Sequence, residues 1–233
     1  MRAMILAAGR GERMRPLSDR TPKPLLKAGG HWLIEYHLAA LASLGVHDVV
    51  INLSWLGQHI QGALGDGSRH GVSISYSDEG PVPLGTGGGL YRALSMLGAD
   101  PFLLVNGDIW IDLPFEALRR PAGSLAHLVL VENPQHHPGG DFGLEPDGRV
   151  SSAPTTMTYA GVAVLDPRLF AGSGPGAYPL RPLLDRALAG GRLTGQRHGG
   201  VWSDVGTPDR LQALDALLRK GRARHPVLAS PLG

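Results

Sequence analysis

The sequence contains no cysteine, and this absence excludes several kinds of chemistry. With no thiol among its 233 residues, the chain cannot form a disulfide framework, a thiolate zinc site or a cysteine nucleophile. No apolar run approaches the roughly 18 residues of a membrane-spanning helix. The apolar segment 3–9 is followed by charged residues where a signal peptide would need a cleavage site of small residues. We therefore expect a soluble, cytoplasmic protein with no membrane partner.

Lysine is also scarce. Of the 22 basic residues only Lys23, Lys27 and Lys220 are lysines. The net charge of +2 is unevenly distributed, because residues 1–27 hold seven basic and two acidic side chains, a net charge of +5 that leaves −3 for the rest of the chain. A short basic segment predicts a site for a small anion, whereas a nucleic-acid groove draws its charge from a longer stripe. We expect no nucleic-acid partner.

Apolar periodicity predicts alternating strands and helices. Continuous apolar runs favour buried parallel strands, and helical spacing of apolar residues separates them. Strands are predicted at 3–7, 48–53, 72–76, 102–106, 125–131 and 159–165, helices near 34–42, 55–64, 90–97, 179–189 and after Thr207, and a hairpin at 142–150. The pattern predicts a doubly wound α/β sheet in one domain, residues 1–218, followed by a basic, flexible tail, 219–233.

The segment after the first strand has the features of a phosphate-binding loop. Gly9 and Gly11 allow backbone N–H groups to approach an anion, and arginines follow them. A dinucleotide fingerprint would need a third glycine where Met14 stands, and no Gly-Lys-Ser or Gly-Lys-Thr of a P-loop occurs. Lys23 lies between two prolines, which fix the backbone around an ammonium group.

These motifs together resemble the signature of the sugar-1-phosphate nucleotidylyltransferases. That family joins a nucleoside triphosphate to a sugar 1-phosphate and releases pyrophosphate. Further similar segments are 84–89 (LGTGGG), 106–108 (NGD) and 202–207 (WSDVGT), so the resemblance covers nearly the whole chain. It implies the nucleotide-diphospho-sugar transferase fold, a Rossmann-like α/β/α sandwich with a mostly parallel mixed sheet.

The resemblance also implies site residues and a cofactor. Arg13 and Lys23 would be catalytic, as the cations that neutralise phosphate charge. Mg²⁺ would lie between Asp108 and Asp204, which can meet only if both preceding runs end at one edge of the sheet. The nucleotide would be bound by Gly9, Gly11, Glu12, Arg13, Lys23, Gly85, Gly87 and Gly88, and the sugar phosphate by Asn106, Asp141 and Gly161.

Several roles stay open at this level. The glycines after Leu84 suit a base-binding loop or a flexible loop before a helix, and Asp141 suits a sugar contact or a turn. His136 and His137 lack a third metal ligand at suitable spacing and are assigned to a loop.

The substrates are open as well. Segments 11–14 and 133–142 are similar to those of uridylyltransferases that act on N-acetylmuramate 1-phosphate in peptidoglycan recycling, which implies UTP and that sugar phosphate as partners. Guanylyl or thymidylyl transfer to mannose or glucose 1-phosphate, and a non-catalytic nucleotide-sugar-binding regulator, are the alternatives.

Overall fold

The computed structural model describes residues 1–152 and 156–229. Elements are numbered here in chain order within those ranges. The strands are β1 (Ala3–Leu6), β2 (Lys27–Ala28), β3 (His31–Trp32), β4 (Asp48–Leu53), β5 (Ser73–Asp78), β6 (Phe102–Asn106), β7 (Ile109–Ile111), β8 (Ala126–Val131), β9 (Gly143–Leu144), β10 (Val150–Ser151), β11 (Thr158–Leu165), β12 (Leu193–Arg197) and β13 (Trp202–Asp204). The helices are α1 (Leu33–Ser43), α2 (Gly57–Leu64), α3 (Gly85–Leu97), α4 (Arg181–Ala189) and α5 (Pro208–Arg219).

Seven strands form one mixed sheet in the order β12-β8-β11-β6-β1-β4-β5. Pairs on either side of β1 are parallel, and only β11 runs antiparallel to both of its neighbours. The carboxyl ends of β1, β4 and β6 therefore lie along one edge, where α/β folds bind their ligands. This confirms the predicted mostly parallel mixed sheet.

Helices cover both faces of the sheet. On one face, α1 and α2 bury Ile34 and Ile60 against Ile5 of β1. On the other, α3 and α4 bury Leu90 and Leu184 in the cluster that contains Met4. Successive residues of β1 thus point into different cores, which explains why the strand is apolar throughout.

Three helices begin at other positions than the sequence predicts, and one of them, α4, begins at Arg181 rather than at residue 179. Helix α3 begins at Gly85 rather than near residue 90, so the glycine-rich segment forms its first turns. Helix α2 begins at Gly57, because Leu56 adopts a left-handed conformation with φ of 53° that ends the preceding turn.

The last helix follows its sequence signals. The Thr207 hydroxyl accepts a hydrogen bond from the backbone N–H of Arg210, and Pro208 occupies the first turn. Its predicted apolar face included Leu217, which the structure leaves 37% exposed, while Leu211, Leu214 and Leu218 are buried.

The segment after α5 packs back on the fold. Ala223 is buried, and the ring of His225 lies 5.1 Å from that of Tyr36. Residues 230–233 of the predicted tail lie outside the described residues, and the tail's flexibility stays a prediction. Within the described ranges no helix combines the length and apolar character needed to cross a bilayer.

The predicted hairpin at 142–150 is present as a small ribbon. Strands β9 and β10 pair antiparallel, with Gly148 at φ of 82° in the turn between them. The backbone oxygen of Gly148 accepts from Gly195 in edge strand β12, so the hairpin lies at the margin of the sheet.

Candidate active site

The loop after β1 is shaped by Lys23. Gly11 has φ of 65°, and a Cβ there would lie 2.8 Å from both Cγ and Cδ of Lys23. Only glycine meets both the backbone and the steric requirement. Ser18 donates to the Gly11 carbonyl at 2.7 Å and fixes the loop over the lysine stem. Nothing lies within 4 Å of the Cβ position of Gly9, which leaves open space beside its backbone.

The Lys23 ammonium is paired with Asp108. The Nζ–Oδ2 distance is 2.5 Å, and the lysine side chain is only 11% exposed. Asp108 lies two residues beyond the end of β6, at the ligand-binding edge of the sheet. Because Lys23 crosses beneath Gly11, this one contact joins the glycine loop to the end of β6.

Asp204 reaches the site by a different route from the predicted one. It does not end a strand of the main sheet, because β13 pairs only with β7 in a separate two-stranded antiparallel ribbon. In that ribbon Asp204 pairs with Ile109, and the Val205 N–H donates to the Asp108 carbonyl at 2.8 Å. The two aspartates are therefore brought together by the β7–β13 ribbon.

Aromatic and histidine side chains support this ribbon from beneath. Trp110 of β7 is fully buried against Tyr36 and His225, with ring centroids 6.0 and 6.2 Å away. Burial lowers the pKa of His225 to about 4. Burial, aided by the charge of His225, lowers the pKa of His37 to about 3, against the opposing effect of a hydrogen bond to the backbone of Ile109. Both rings are thus neutral at pH 7.

Asp204 is itself held by two side chains. Arg210 of α5 donates Nη1–H to Oδ2, and Nε2 of His136 lies 3.1 Å from Oδ1. The same Arg210 nitrogen lies 2.7 Å from Nε2 of His136. The histidine was assigned to a loop by sequence, and it does lie in one, but that loop covers the site.

Three openings meet around these residues. Cavity A, about 240 Å³, is lined by Leu6, Ala7, Ala8, Gly9, Lys23, Pro24, Asn52, Glu79, Pro83, Gly85, Thr86, Asn106 and Asp108. Cavity B, about 340 Å³, is lined by Arg13, Asn106, Asp108, Ile109, His136, His137, Thr158, Tyr159, Ala160, Gly161, Trp202 and Asp204. Cavity C, about 490 Å³, is lined by Arg10, Gly11, Glu12, Arg13, Lys23 and Gly206. Cavities A and B share Asn106 and Asp108, and Lys23 belongs to both A and C.

A buried hydrogen-bond chain forms the wall of cavity A. Asn52 at the end of β4 accepts from the Ala7 N–H at 2.7 Å and donates to Glu79 at 2.6 Å. Glu79 accepts a second bond, from the Leu84 N–H, at 2.6 Å. We call Asn52 and Glu79 the buried pair. It joins the loop after β1 to the segment before α3 without using an exposed charge.

Of the predicted base-binding glycines, only Gly85 lines cavity A. Gly87 and Gly88 donate their N–H groups to the Tyr178 carbonyl, and Cβ atoms there would lie 2.7 Å from the oxygen of Pro179 and 2.1 Å from that of Gly176. Close packing of segment 176–179 on the first turns of α3 therefore accounts for these two glycines.

The predicted sugar residues are only partly together. Asn106 faces cavities A and B, and Gly161, with φ of 82°, lies where a Cβ would be 2.8 Å from the Asn106 amide nitrogen. Asp141 instead accepts from the Tyr159 N–H at 2.8 Å and lies 3.2 Å from His137. Among the described residues it supports the wall of cavity B without being part of its lining.

Four residues of the site were not singled out from the sequence: Asn52, Glu79, Arg210 and, as a site residue, His136. The end of β4 was a usable signal for Asn52, since polar residues at that edge face ligands. The other three meet the site through contacts between distant segments, for which the local pattern holds no signal.

The carboxylates of the site could hold a metal ion only if substrate phosphates supplied further ligands. Within the described ranges no three His, Asp or Glu side chains cluster closely enough to hold an ion by themselves. Two carboxylates, Asp108 and Asp204, face one cavity. Each is paired with a cationic side chain, which supplies the positive charge beside it. One or two carboxylates completed by substrate phosphates are a usual Mg²⁺ shell.

The chain is similar in sequence to several known nucleotidyltransferases. The chain is 49% identical over 226 residues to the N-acetylmuramate alpha-1-phosphate uridylyltransferase of Neisseria meningitidis serogroup B, covering 93% of this chain and 98% of that one. It is 33% identical to the enzyme of the same name from Caulobacter vibrioides, covering 93% and 96%. It is 29% identical to a mannose-1-phosphate guanylyltransferase of Mycobacterium tuberculosis, covering 99% of this chain and 68% of that one.

Solved structures support the fold. A Bacillus anthracis protein provisionally assigned as a glucose-1-phosphate thymidylyltransferase superposes with a TM-score of 0.82 at 22% identity, covering 93% of this chain and 94% of that one. The family model described as nucleotidyl transferase matches residues 2–151. The chain therefore belongs to the nucleotidyl transferase family.

Proposed function

We propose that this protein transfers a uridylyl group from UTP to N-acetylmuramate α-1-phosphate and releases pyrophosphate. The observation that supports this proposal most strongly is that cavities A and B meet at Asp108, which is bonded to the largely buried Lys23. The similarity to the two uridylyltransferases, over nearly their whole length, favours these substrates. The product would be UDP-N-acetylmuramate, formed in the cytoplasm during reuse of peptidoglycan sugars.

The reaction joins two anions, so its barrier is largely electrostatic. An oxygen of the acceptor phosphate attacks the α-phosphorus of UTP, a new P–O bond forms, and the bond to the bridging oxygen of the β-phosphate breaks. Positioning and charge neutralisation are what a protein contributes to such a transfer. Cavity A suits the nucleoside, cavity C the β- and γ-phosphates, and cavity B the acceptor.

Lys23 and Arg13 supply the fixed positive charge. Lys23 borders cavities A and C, where it neutralises the α-phosphate and the approaching acceptor phosphate. Arg13 borders cavities B and C, where it binds the phosphates that leave. Both positive charges lie beside oxygens that become more negative as pyrophosphate departs.

Asp108 and Asp204 would hold Mg²⁺. A bound Mg²⁺ ion supplies Lewis acidity toward phosphate oxygens and partly neutralises their charge. Asp108 is presented by the end of β6 and Asp204 by the β7–β13 ribbon, so the protein fixes both carboxylates before substrates arrive.

Product analysis tests the proposal. Purified protein with Mg²⁺ is incubated with UTP, GTP or dTTP and with the 1-phosphates of N-acetylmuramate, N-acetylglucosamine, mannose or glucose, and nucleotide sugars are identified by mass spectrometry. We expect UDP-N-acetylmuramate with the highest kcat/KM of the panel. A higher kcat/KM for GTP with mannose 1-phosphate would contradict the proposal and favour the guanylyltransferase alternative.

A further inference from the structure

Arg210 bonds Asp204, which lines cavity B, lies beside Gly206, which lines cavity C, and has an incomplete set of partners. Its Nη1 serves Asp204 and His136, and its Nε is 3.4 Å from the Thr207 hydroxyl. Among the described residues no acceptor is seen for Nη2. A guanidinium has five N–H donors and no acceptor, so this group can still bind a further anion.

Arg13 converges on the same place. A Cβ added to Gly206 would lie 2.7 Å from Nη2 of Arg210 and 3.3 Å from Nη2 of Arg13, so the two nitrogens are at most about 6 Å apart. Two guanidinium groups at such a distance repel each other unless an anion neutralises them. Glycine at position 206 permits this close approach, because a side chain there would meet both guanidinium groups.

Asp204 is the one carboxylate bonded to Arg210 among the described residues. If Asp204 turns to a metal ion, its charge no longer neutralises the arginine. A partly buried charge that loses its partner is costly, so another anion must replace the carboxylate. The substrates provide such anions at this boundary between cavities B and C.

We infer that Arg210 binds an anionic oxygen group of the substrates, facing Arg13 across Gly206. This inference rests on the proposed function and goes beyond it by naming the residue. The group has two sources: the lactyl carboxylate that N-acetylmuramate has and N-acetylglucosamine lacks, and the pyrophosphate that leaves. Both are oxyanions that suit a guanidinium.

Binding measured without turnover separates the sources. Calorimetry with Mg²⁺ but without UTP compares N-acetylmuramate 1-phosphate, N-acetylglucosamine 1-phosphate and pyrophosphate, using wild type, Arg210→Gln and Arg219→Gln. Arg219 is the control because it lies on the same helix, is exposed and, among the described residues, pairs with Asp215 at 2.7 Å, away from Asp204. Ligands that bind too weakly for calorimetry are compared by their steady-state KM or inhibition constant.

If the acceptor carboxylate is the partner, Arg210→Gln lowers the affinity for N-acetylmuramate 1-phosphate by about 10- to 100-fold and leaves the affinity for N-acetylglucosamine 1-phosphate unchanged. If pyrophosphate is the partner, its affinity falls by that factor and the two acceptors keep their ratio. Arg219→Gln should match wild type throughout.

The inference is overturned if Arg210→Gln changes none of the three affinities, or lowers all three by the same factor. In either case the Mg²⁺ dependence of kcat should shift. Arg210 would then serve only to position Asp204. Failure of the proposed function is a separate result, since wild type itself would then form no UDP-N-acetylmuramate, and the pyrophosphate comparison would still test Arg210.

Discussion

The two sides of the site are built by different interactions. On the side of cavity A, the buried pair satisfies backbone N–H groups of Ala7 and Leu84 inside the fold. On the side of cavity B, each acidic group is paired with a cation, Asp108 with Lys23 and Asp204 with Arg210. The first set is complete without a ligand, whereas we expect the second to exchange partners when phosphates bind. One side of the site is thus preformed, and the other is neutralised by internal ion pairs.

The largest effect on kcat/KM is expected from removing the charge of Lys23, on the side of the site that holds the ion pairs. We expect Lys23→Met to lower kcat/KM by about 100- to 1000-fold, because one cation facing the developing charge is lost. Methionine keeps an apolar stem beneath Gly11, so the melting temperature should change little. Steady-state kinetics and thermal denaturation measure the two effects.

Lys27→Met is the matched control, since Lys27 is exposed on β2 and its ammonium lies 5.9 Å from the Trp32 ring. It should retain wild-type kinetics. Equal activity of Lys23→Met and Lys27→Met would refute the role given to Lys23.

The interactions on the side of cavity A are tested by a substitution at Asn52. Asn52→Ala leaves the Ala7 N–H and one Glu79 oxygen without their buried partner, which should lower the free energy of unfolding by about 3 kcal/mol. We also expect a higher KM for UTP with a smaller change in KM for the acceptor, because both loops that Asn52 joins border cavity A. Urea denaturation and kinetics measure these changes.

Ser54→Ala serves as the comparison, since its hydroxyl bonds the Gly80 carbonyl at 2.8 Å in a less buried position. It should cost about 1 kcal/mol or less. If Asn52→Ala raised both KM values equally, the division of the site into two sides would be wrong at this point.

Acidification should weaken the support of the β7–β13 ribbon. Burial lowers the pKa of His225 to about 4 and that of His37 to about 3, below the usual value of 6.5. The unfolded chain therefore binds protons first, so the stability that these residues contribute is complete above pH 6.5 and is lost as the pH falls toward 4. His225 alone accounts for at most about 3 kcal/mol.

Denaturation curves between pH 7 and pH 4 test this effect. His225→Gln should flatten the dependence, whereas His59→Gln, at an exposed position of α2, should keep the wild-type slope. A slope unchanged in His225→Gln would show that the ring does not couple to folding.

Local signals in the sequence predicted the parts of the fold that depend on neighbouring residues. The apolar run of β1, the cap at Thr207 and the glycine loop all depend on residues a few positions apart, and the motif resemblance added Asp108 and Asp204. The β7–β13 ribbon joins residues about 90 positions apart, so local periodicity does not predict it. Gly87 and Gly88 are interpreted from the sequence as ligand contacts. Glycine also permits close packing within the chain, and these two pack against segment 176–179.

In the proposed reaction a nucleotidyl group passes from UTP in cavities A and C to an intact acceptor phosphate in cavity B. The most direct measurement supplies N-acetylmuramate 1-phosphate whose terminal phosphate oxygens are ¹⁸O, together with unlabelled UTP and Mg²⁺, and locates the label by mass spectrometry. We expect all of the label in the UDP-sugar and none in pyrophosphate, since the acceptor's own P–O bonds never break. Labelled pyrophosphate, or pyrophosphate released without any UDP-sugar, would contradict it.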